Sequence, residues 1–333
     1  QIIPFKSSAK FPISLSGHMV LVLKDDDGNE FQINAGPSNE SFPYGHLELR
    51  QIGDRLNKRF NVVDGSKVNA AWRGATKVDF GERDAEDVWD ILLQHAQNIH
   101  GEKLAYRALT KNSNAVIGTL LDVVGIDIRD FVPNPKGIML GGFIGKNTQL
   151  NFDYSLTGTD AGDFLRGRNG QQTFTGMDGD DHLIGGFGND KLFGNNHRDL
   201  LIGGGGQDLL SGGTGSDELS GGAGNDILRG GRGLDLLIGG KGRDLLLGKA
   251  GADVLKGLRS SDTLDGGSGD DELLGGDGND LLLGGSGNDK IVGHAGTDTV
   301  SFAGSAAAVV VDLGARTATG EGTDSIQKTE SVI

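Results

Sequence analysis

Gly221-Gly222-Ala223-Gly224-Asn225-Asp226-Ile227-Leu228 is the clearest copy of a nine-residue unit that recurs through the second half of the chain. The aspartate of this unit occurs at the same place in fourteen consecutive copies, which are Asp181, Asp190, Asp199, Asp208, Asp217, Asp226, Asp235, Asp244, Asp253, Asp262, Asp271, Asp280, Asp289 and Asp298. An aliphatic residue lies two positions after each aspartate, and a glycine lies five positions before it. A flexible glycine-rich linker has no reason to keep aspartate and leucine in phase, so the pattern predicts a repeating structure.

The unit reads G-G-x-G-x-D-x-U-x, where U is a large aliphatic residue, and it resembles the repeat of the RTX (repeats-in-toxin) family. This resemblance implies that residues 151–300 form an all-β parallel β-roll, a solenoid that binds Ca²⁺ as its cofactor. It also implies an extracellular or cell-surface bacterial protein that is exported by type I secretion.

The residue types fit this chemistry. Glycine permits turns with positive φ that expose backbone carbonyls, and each aspartate adds one hard anionic oxygen, which is the kind of ligand that calcium prefers. Each coil of such a roll consists of two nonapeptides, so Asp226 is expected to share one ion with Asp208 and another with Asp244. The predicted metal residues are Asp181, Asp190, Asp208, Asp217, Asp226, Asp235, Asp244, Asp271, Asp280, Asp289 and Asp298, with the glycines Gly185, Gly203, Gly212, Gly221, Gly230, Gly239, Gly266, Gly275 and Gly284.

Several copies depart from the pattern. The units that end at Asp199, Asp253 and Asp262 replace turn glycines with bulky or basic residues, so they are weaker candidates for calcium. Before the array, Asp163 with Leu165 keeps the phase, and Gln172 takes the aspartate place of the next copy. After Val300 the ladder stops, and residues 301–333 are predicted to form a β cap that begins with a strand at 307–313. A secretion signal is expected further downstream in a longer protein.

Without metal, this array is expected to be largely disordered. The predicted core is thin, the stacked carboxylates repel one another, and the many glycines make ordering costly in entropy. Calcium binding and folding are therefore expected to be a single event.

Negative charge is concentrated in the array. Residues 1–150 contain 18 acidic and 17 basic residues, whereas residues 151–333 contain 28 and 14. Such an acidic surface favours cations and disfavours nucleic acid as a partner. No run of about 18 apolar residues is present, so no membrane span is predicted. The absence of cysteine excludes disulfides, thiolate metal sites and a cysteine nucleophile.

Residues 1–150 have an ordinary globular composition, and their strand and helix signals together predict an α+β domain. Residues 18–23 and 31–34 flank Asp27-Gly28 and predict a β-hairpin. A helix is predicted from Asp84 to His100, with Val88, Ile91, Leu92, His95 and Ile99 on its buried face, where His95 is better explained as a structural residue than as a catalytic one. A second helix is predicted to begin at residues 112–114 and to end before Gly125.

This region has a weaker resemblance to the permuted papain-like folds of NlpC/P60 and lecithin-retinol-acyltransferase proteins. The resemblance implies that His18 is a general base, that Ser113 replaces the cysteine nucleophile, and that Gln32 or Asn34 orients the imidazole. A serine has a much higher pKa than a thiol, so His18 would have to remove its proton during attack. Alternatively, Asn112 or Ser113 only caps the second helix.

Three functions are compatible with the sequence. The first is a secreted hydrolase or acyltransferase supported by a calcium roll. The second is a non-catalytic segment of an adhesin or surface protein, whose N-terminal domain binds a cell-surface or protein partner. The third is a module for folding and secretion alone. The repeats are common to all three, so only the N-terminal domain distinguishes them.

Overall fold

The structure is a computed structural model of the 333-residue chain. It describes residues 9–11, 20–24, 30–37, 47–52, 76–78, 91–92, 94–95, 123, 153–303, 308–312 and 315–333. The chain forms two compact units, Gln1–Tyr154 and Ser155–Ile333, which are considered separately below.

The first unit contains a five-stranded antiparallel sheet with the strand order β4-β3-β2-β1-β5. Its strands are β1 (Ala9–Phe11), β2 (Val20–Lys24), β3 (Glu30–Pro37), β4 (Leu47–Ile52) and β5 (Thr76–Val78). The predicted hairpin is present, because β2 pairs with β3 in a register that sets Val22 opposite Gln32. Among the described residues of this unit, Ile91, Leu92, His95 and Val123 are helical and buried, as the helical spacing predicts.

The second unit is built on two parallel sheets. One contains the even-numbered strands β6 to β22 and the other the odd-numbered strands β7 to β21, and together they are called the roll. The strands are β6 (Tyr154–Thr157), β7 (Phe164–Arg166), β8 (Gln172–Met177), β9 (His182–Phe187), β10 (Lys191–Asn196), β11 (Leu200–Gly205), β12 (Leu209–Thr214), β13 (Glu218–Ala223), β14 (Ile227–Arg232), β15 (Leu236–Lys241), β16 (Leu245–Ala250), β17 (Val254–Arg259), β18 (Thr263–Ser268), β19 (Glu272–Asp277), β20 (Leu281–Ser286), β21 (Lys290–Ala295) and β22 (Thr299–Val300).

Each nonapeptide contributes one strand and one turn. Its positions are numbered here from the first glycine, so Gly221 is position 1, Asp226 position 6 and Leu228 position 8. Strands 18 residues apart lie side by side, and Leu210 pairs with Leu228. Along each strand, inward and outward residues alternate, so position 8 always points inward. The stacked position 8 side chains from Leu183 to Val300 are 0% exposed and form the core of the roll.

Four further strands follow the array, and they are β23 (Val310–Asp312), β24 (Thr317–Thr319), β25 (Thr323–Gln327) and β26 (Ser331–Val332). β23 and β24 pair as an antiparallel hairpin, and β24 pairs with β25. β25 then lies parallel to β21, and β26 lies parallel to β22. The strands that continue the roll are therefore β25 and β26, whereas the predicted strand at 307–313 contributes only the outer strand of the hairpin. Among the described residues, no helix is long and apolar enough to cross a membrane.

Candidate metal centres

The turns at the two edges of the roll stack in register. Their backbone has positive φ at positions 2 and 4, as at Gly222 (108°) and Gly224 (146°). A Cβ atom at either residue would collide with a carbonyl oxygen 18 residues earlier, that of Gly204 or of Gly206. Glycine is therefore favoured there by both conformation and space, and each of these carbonyls faces the following turn.

Each position 6 aspartate is held by its neighbours in the stack. The backbone N–H of Asp208 donates to Oδ1 of Asp226 over 2.9 Å, and the N–H of Asp226 donates to Oδ1 of Asp244 over the same distance. The peptide oxygen of Asp208 in turn accepts the N–H of Ile227. One oxygen of every such carboxylate thus continues a hydrogen-bond row along the edge of the roll.

The second carboxylate oxygen is different. Asp226 is 1% exposed, and its buried Oδ2 atom has no hydrogen-bond donor among the residues that the structure describes. The same holds for Asp181, Asp199, Asp208, Asp217, Asp235, Asp244, Asp253, Asp262, Asp271, Asp280, Asp289 and Asp298. Buried polar atoms normally have a partner, and a whole row of buried carboxylate oxygens is the kind of donor set that a cation would satisfy.

The surroundings of Oδ2 identify what would fit. A Cβ atom built on Gly203, at position 1, would lie 2.8 Å from the carbonyl oxygen of Gly221 and too close to Oδ2 of Asp208. Two acceptor oxygens from successive turns therefore face the same small space. A cation with a preference for oxygen ligands satisfies both, and the carbonyls at positions 2 and 4 can supply further ligands.

Electrostatics support a cation in this row. Burial is the main cause that raises the pKa of Asp226 to about 7. The charges of the Asp208 and Asp244 carboxylates raise this pKa as well, whereas the hydrogen bond from the backbone N–H of Asp208 lowers it. Burial likewise raises the pKa of Asp181 to about 8. Without a compensating positive charge, these neighbouring carboxylates cannot all ionise at low cost.

The structure brings the predicted metal residues together at the turns of the stack. Each predicted aspartate lies at position 6, and each predicted glycine lies at position 1 against Oδ2 of the aspartate in its own turn. The stacking at intervals of 18 residues joins Asp208 with Asp226 and Asp280 with Asp298, which are pairs that the sequence analysis expects to share an ion. Among the described residues, no three His, Cys, Asp or Glu side chains gather at one point, so backbone carbonyls would provide most ligands of any ion.

The three weaker copies keep the same turn. The N–H of Asp244 donates to Oδ1 of Asp262 over 2.8 Å, although Leu258 and Ser260 replace glycine at positions 2 and 4. These two residues have φ values of 80° and 77°, a conformation that costs a residue other than glycine roughly 1–2 kcal/mol. Asp253 and Asp199 are placed in the same way. Stacking therefore imposes the turn even on residues that resist it.

The first two copies, at the N-terminal end of the row, differ from the others. Asp163 and Gln172 are buried, and their N–H groups donate to Oδ1 of Asp181 and of Asp190. Oδ2 of Asp163, however, accepts the N–H of Thr159 in its own turn over 2.6 Å. At the start of the row, these two residues therefore keep the stacking hydrogen bonds, but Gln172 has no carboxylate and Oδ2 of Asp163 already accepts a hydrogen bond.

The candidate catalytic residues are only partly described. His18 and Ser113 lie outside the described residues. Gln32 and Asn34 lie on β3, opposite Val22 and Val20 of β2. Burial lowers the pKa of His95 to about 3, so this histidine stays neutral at physiological pH, in keeping with a structural role.

Two residues that the sequence analysis missed also join the rows. Asp324 accepts the N–H of Asp289, and Glu330 accepts the N–H of Asp298. Both precede an aliphatic residue by two positions, as in the repeats, but neither keeps the spacing of nine.

The comparisons with known proteins agree with this geometry. The model of the RTX calcium-binding nonapeptide repeat (4 copies) matches residues 157–192, 175–210, 211–246, 238–273, 247–282 and 274–304. No curated protein matches the chain. The matches cover the stacked turns from the first copies to the end of the nonapeptide ladder, and these repeats are calcium-binding motifs. Residues 157–304 are therefore an array of RTX calcium-binding nonapeptide repeats folded as a parallel β-solenoid.

Proposed function

We propose that the roll is a calcium-folded module of an exported bacterial protein, unfolded at the low calcium of the cytosol and ordered outside the cell. The observation that carries this proposal is the row of buried aspartates whose Oδ2 atoms have no hydrogen-bond donor in the described part of the chain. Several calcium ions bind between successive turns, and their binding energy becomes folding energy. Type I secretion and an extracellular or cell-surface location follow from the same reasoning, because a chain that stays unfolded until it meets calcium is suited to export.

Calcium suits the turns better than magnesium does. Calcium accepts six to eight oxygen ligands in flexible geometry, whereas magnesium requires a near-ideal octahedron and retains its water. The turns offer carbonyls and one carboxylate each, on a backbone whose conformation is set by stacking. Transition metals are disfavoured because the predicted ligands include neither histidine nor cysteine.

The substitution Asp226→Asn tests the role of the carboxylates. Asparagine keeps an Oδ1 acceptor for the N–H of Asp208 but removes the negative charge. Because Asp226 is assigned to two sites, we expect the calcium concentration at the midpoint of folding to rise roughly tenfold or more, as for the loss of a charged ligand. Far-UV circular dichroism during a calcium titration measures this midpoint.

Asp262→Asn is the matched comparison. It removes the same charge from a turn whose positions 2 and 4 are Leu258 and Ser260, and it is expected to raise the midpoint less. A midpoint for Asp226→Asn equal to that of the unsubstituted chain would contradict the assignment of this carboxylate to calcium.

For the first unit, we propose a globular α+β domain over about residues 1–150 that acts as a hydrolase or acyltransferase, with Ser113 as nucleophile and His18 as base. The pairing of β2 with β3 supports this arrangement, because it places Gln32 and Asn34 beside the strand that follows His18. A nucleophile at a helix N-terminus would also have backbone N–H groups nearby to stabilise an oxyanion. The alternative is an adhesin segment in which this domain binds a cell-surface or protein partner without catalysis.

A fluorophosphonate probe separates these alternatives. Under the catalytic proposal, the probe labels the chain at Ser113, and Ser113→Ala abolishes labelling because the nucleophilic oxygen is removed. Mass spectrometry of the digested protein locates the adduct. Labelling that survives in Ser113→Ala would exclude this serine as the nucleophile, and absence of labelling in the unsubstituted chain would favour the adhesin.

A further inference from the structure

Residues 321–332 lie in the register of one more coil of the roll. Ile326 of β25 pairs with Ile291, and Val332 of β26 pairs with Val300, so both occupy position 8 of the stack. The row of core side chains therefore continues past the last nonapeptide.

The turn before β25 repeats the backbone hydrogen bonds of a calcium turn. In a regular pair of turns, the N–H of Gly224 donates to the oxygen of Lys241, and the N–H of Arg243 donates to Oδ1 of Asn225. At the end of the roll, the N–H of Gly287 donates to the oxygen of Glu321 over 3.2 Å.

The other bonds of this turn follow the same scheme. The N–H of Thr323 donates to Oδ1 of Asn288 over 3.0 Å, and the N–H of Asp289 donates to Oδ1 of Asp324 over 3.1 Å. Gly322 lies against the carbonyl oxygen of Gly287, as a position 4 glycine does. Asp324 thus holds position 6 and is 6% exposed.

A hairpin inserted before this coil breaks the regular spacing of the aspartates, so the sequence pattern does not reveal the coil. Asp324 lies 35 residues after Asp289, instead of the 18 residues found within the array. The antiparallel pair β23–β24 occupies the additional length and then returns the chain to the roll. The match to the repeat family accordingly ends at residue 304, before the coil is reached.

The opposite edge of the coil also brings acceptor oxygens of two turns together. The N–H of Asp298 donates to Oε2 of Glu330 over 2.8 Å. Asp298 is 0% exposed, and no described residue donates a hydrogen bond to its Oδ2 atom. Gly293 lies against both this oxygen and the carbonyl oxygen of Lys328, so the two acceptors face the same space, as they do within the array.

We infer that this terminal coil completes two further calcium sites, one between Asp289 and Asp324 and the other among Asp298, Lys328 and Glu330. The inference rests on the proposed calcium function of the array and extends it beyond the nonapeptides. Asp289 supports it independently, because its buried Oδ2 also lacks a hydrogen-bond donor among the described residues. In this arrangement the hairpin is an insertion between two calcium turns, and the coil after it belongs to the metal-binding array.

Native mass spectrometry of the full chain, at the lowest calcium concentration that fills the sites of the unsubstituted chain, tests the inference because it counts bound ions. Asp324→Asn and Glu330→Gln each keep a hydrogen-bond acceptor and remove a charge, and each is expected to bind one ion fewer than the unsubstituted chain. Glu218→Gln, at an exposed position 7, removes the same charge and is expected to leave the count unchanged.

The outcomes separate the terminal sites from the array. If Asp324→Asn and Glu330→Gln keep the full count while Asp226→Asn lowers it, the terminal sites are refuted and the array stands. If Asp226→Asn also keeps the full count, the proposed function itself fails. If a variant loses structure, the test is hydrogen exchange of the Asp289 and Asp298 amides in the unsubstituted chain, with and without calcium. Protection of these amides that does not depend on calcium would overturn the inference.

Discussion

Removal of calcium is expected to unfold the roll. In excess chelator, far-UV circular dichroism should lose most of the β signal contributed by the parallel sheets, and the amides of the stacked strands should exchange rapidly with solvent. Restoring calcium to millimolar concentration should recover both signals. This is the largest single effect expected for the protein, because it involves every coil of the array.

Each coil has few stabilising interactions apart from calcium binding. One aliphatic side chain per nonapeptide is fully buried, and this contributes about 1.5–3 kcal/mol, which is small beside the entropy lost in ordering nine residues. Glycine at positions 1, 2 and 4 increases that entropy, since it has the most conformational freedom to lose. The buried carboxylates add repulsion, as at Asp226, whose pKa is raised by the charges of Asp208 and Asp244 in addition to burial.

Magnesium at the same concentration is the control for ionic strength and divalent charge. It should restore much less β signal than calcium, because it adapts poorly to a site of fixed carbonyls. Amides of the roll that stay equally protected in chelator and in calcium would show that the sheets are stable without metal, and the coupling of binding to folding would then be wrong.

The sequence predicted the roll well because its constraint is strictly periodic. A spacing of nine residues with two units per coil sets the 18-residue register, so the pairing of Leu210 with Leu228 and of Asp208 with Asp226 follows directly. The turn at Leu258 and Ser260 was harder to predict, because the local sequence opposes positive φ and only stacking imposes it.

The terminal coil could not be predicted in the same way. The inserted hairpin breaks the phase between Asp289 and Asp324, and the short step from Asp324 to Glu330 breaks it again. A search for regular spacing therefore ends at Val300, although the side chains that follow have the right chemistry. In the first unit, helical periodicity correctly placed Ile91, Leu92 and His95 on a buried face, whereas the catalytic assignment of Ser113 and His18 stays a prediction.

The metal-free roll is expected to lose stability as the pH rises from 4 to 8. Burial raises the pKa of Asp226, Asp235 and Asp271 to about 7 in the folded roll, from 3.8 without burial. The folded state therefore binds protons more tightly than the unfolded chain does between these values. This contribution to stability is fully present below about pH 4 and disappears as the pH passes the folded pKa.

In chelator, circular dichroism should consequently show more β structure at pH 4 than at pH 8. Asp226→Asn should show a shallower dependence on pH, because one of the titrating carboxyls is absent. A metal-free roll whose β content is the same at both pH values, or greater at pH 8, would contradict the assignment of these carboxyls as protonated in the folded state.

Calcium should reverse the sign of this dependence. Its ligands must be deprotonated, so acidification makes protons compete with the ion for the same oxygens, and the calcium concentration at the folding midpoint should rise as the pH falls toward 4. Proton and calcium are thus alternative ways to neutralise one row of carboxylates. The proton acts on each aspartate singly, whereas the ion also draws the carbonyls of two turns together, and only calcium should therefore order the roll at neutral pH.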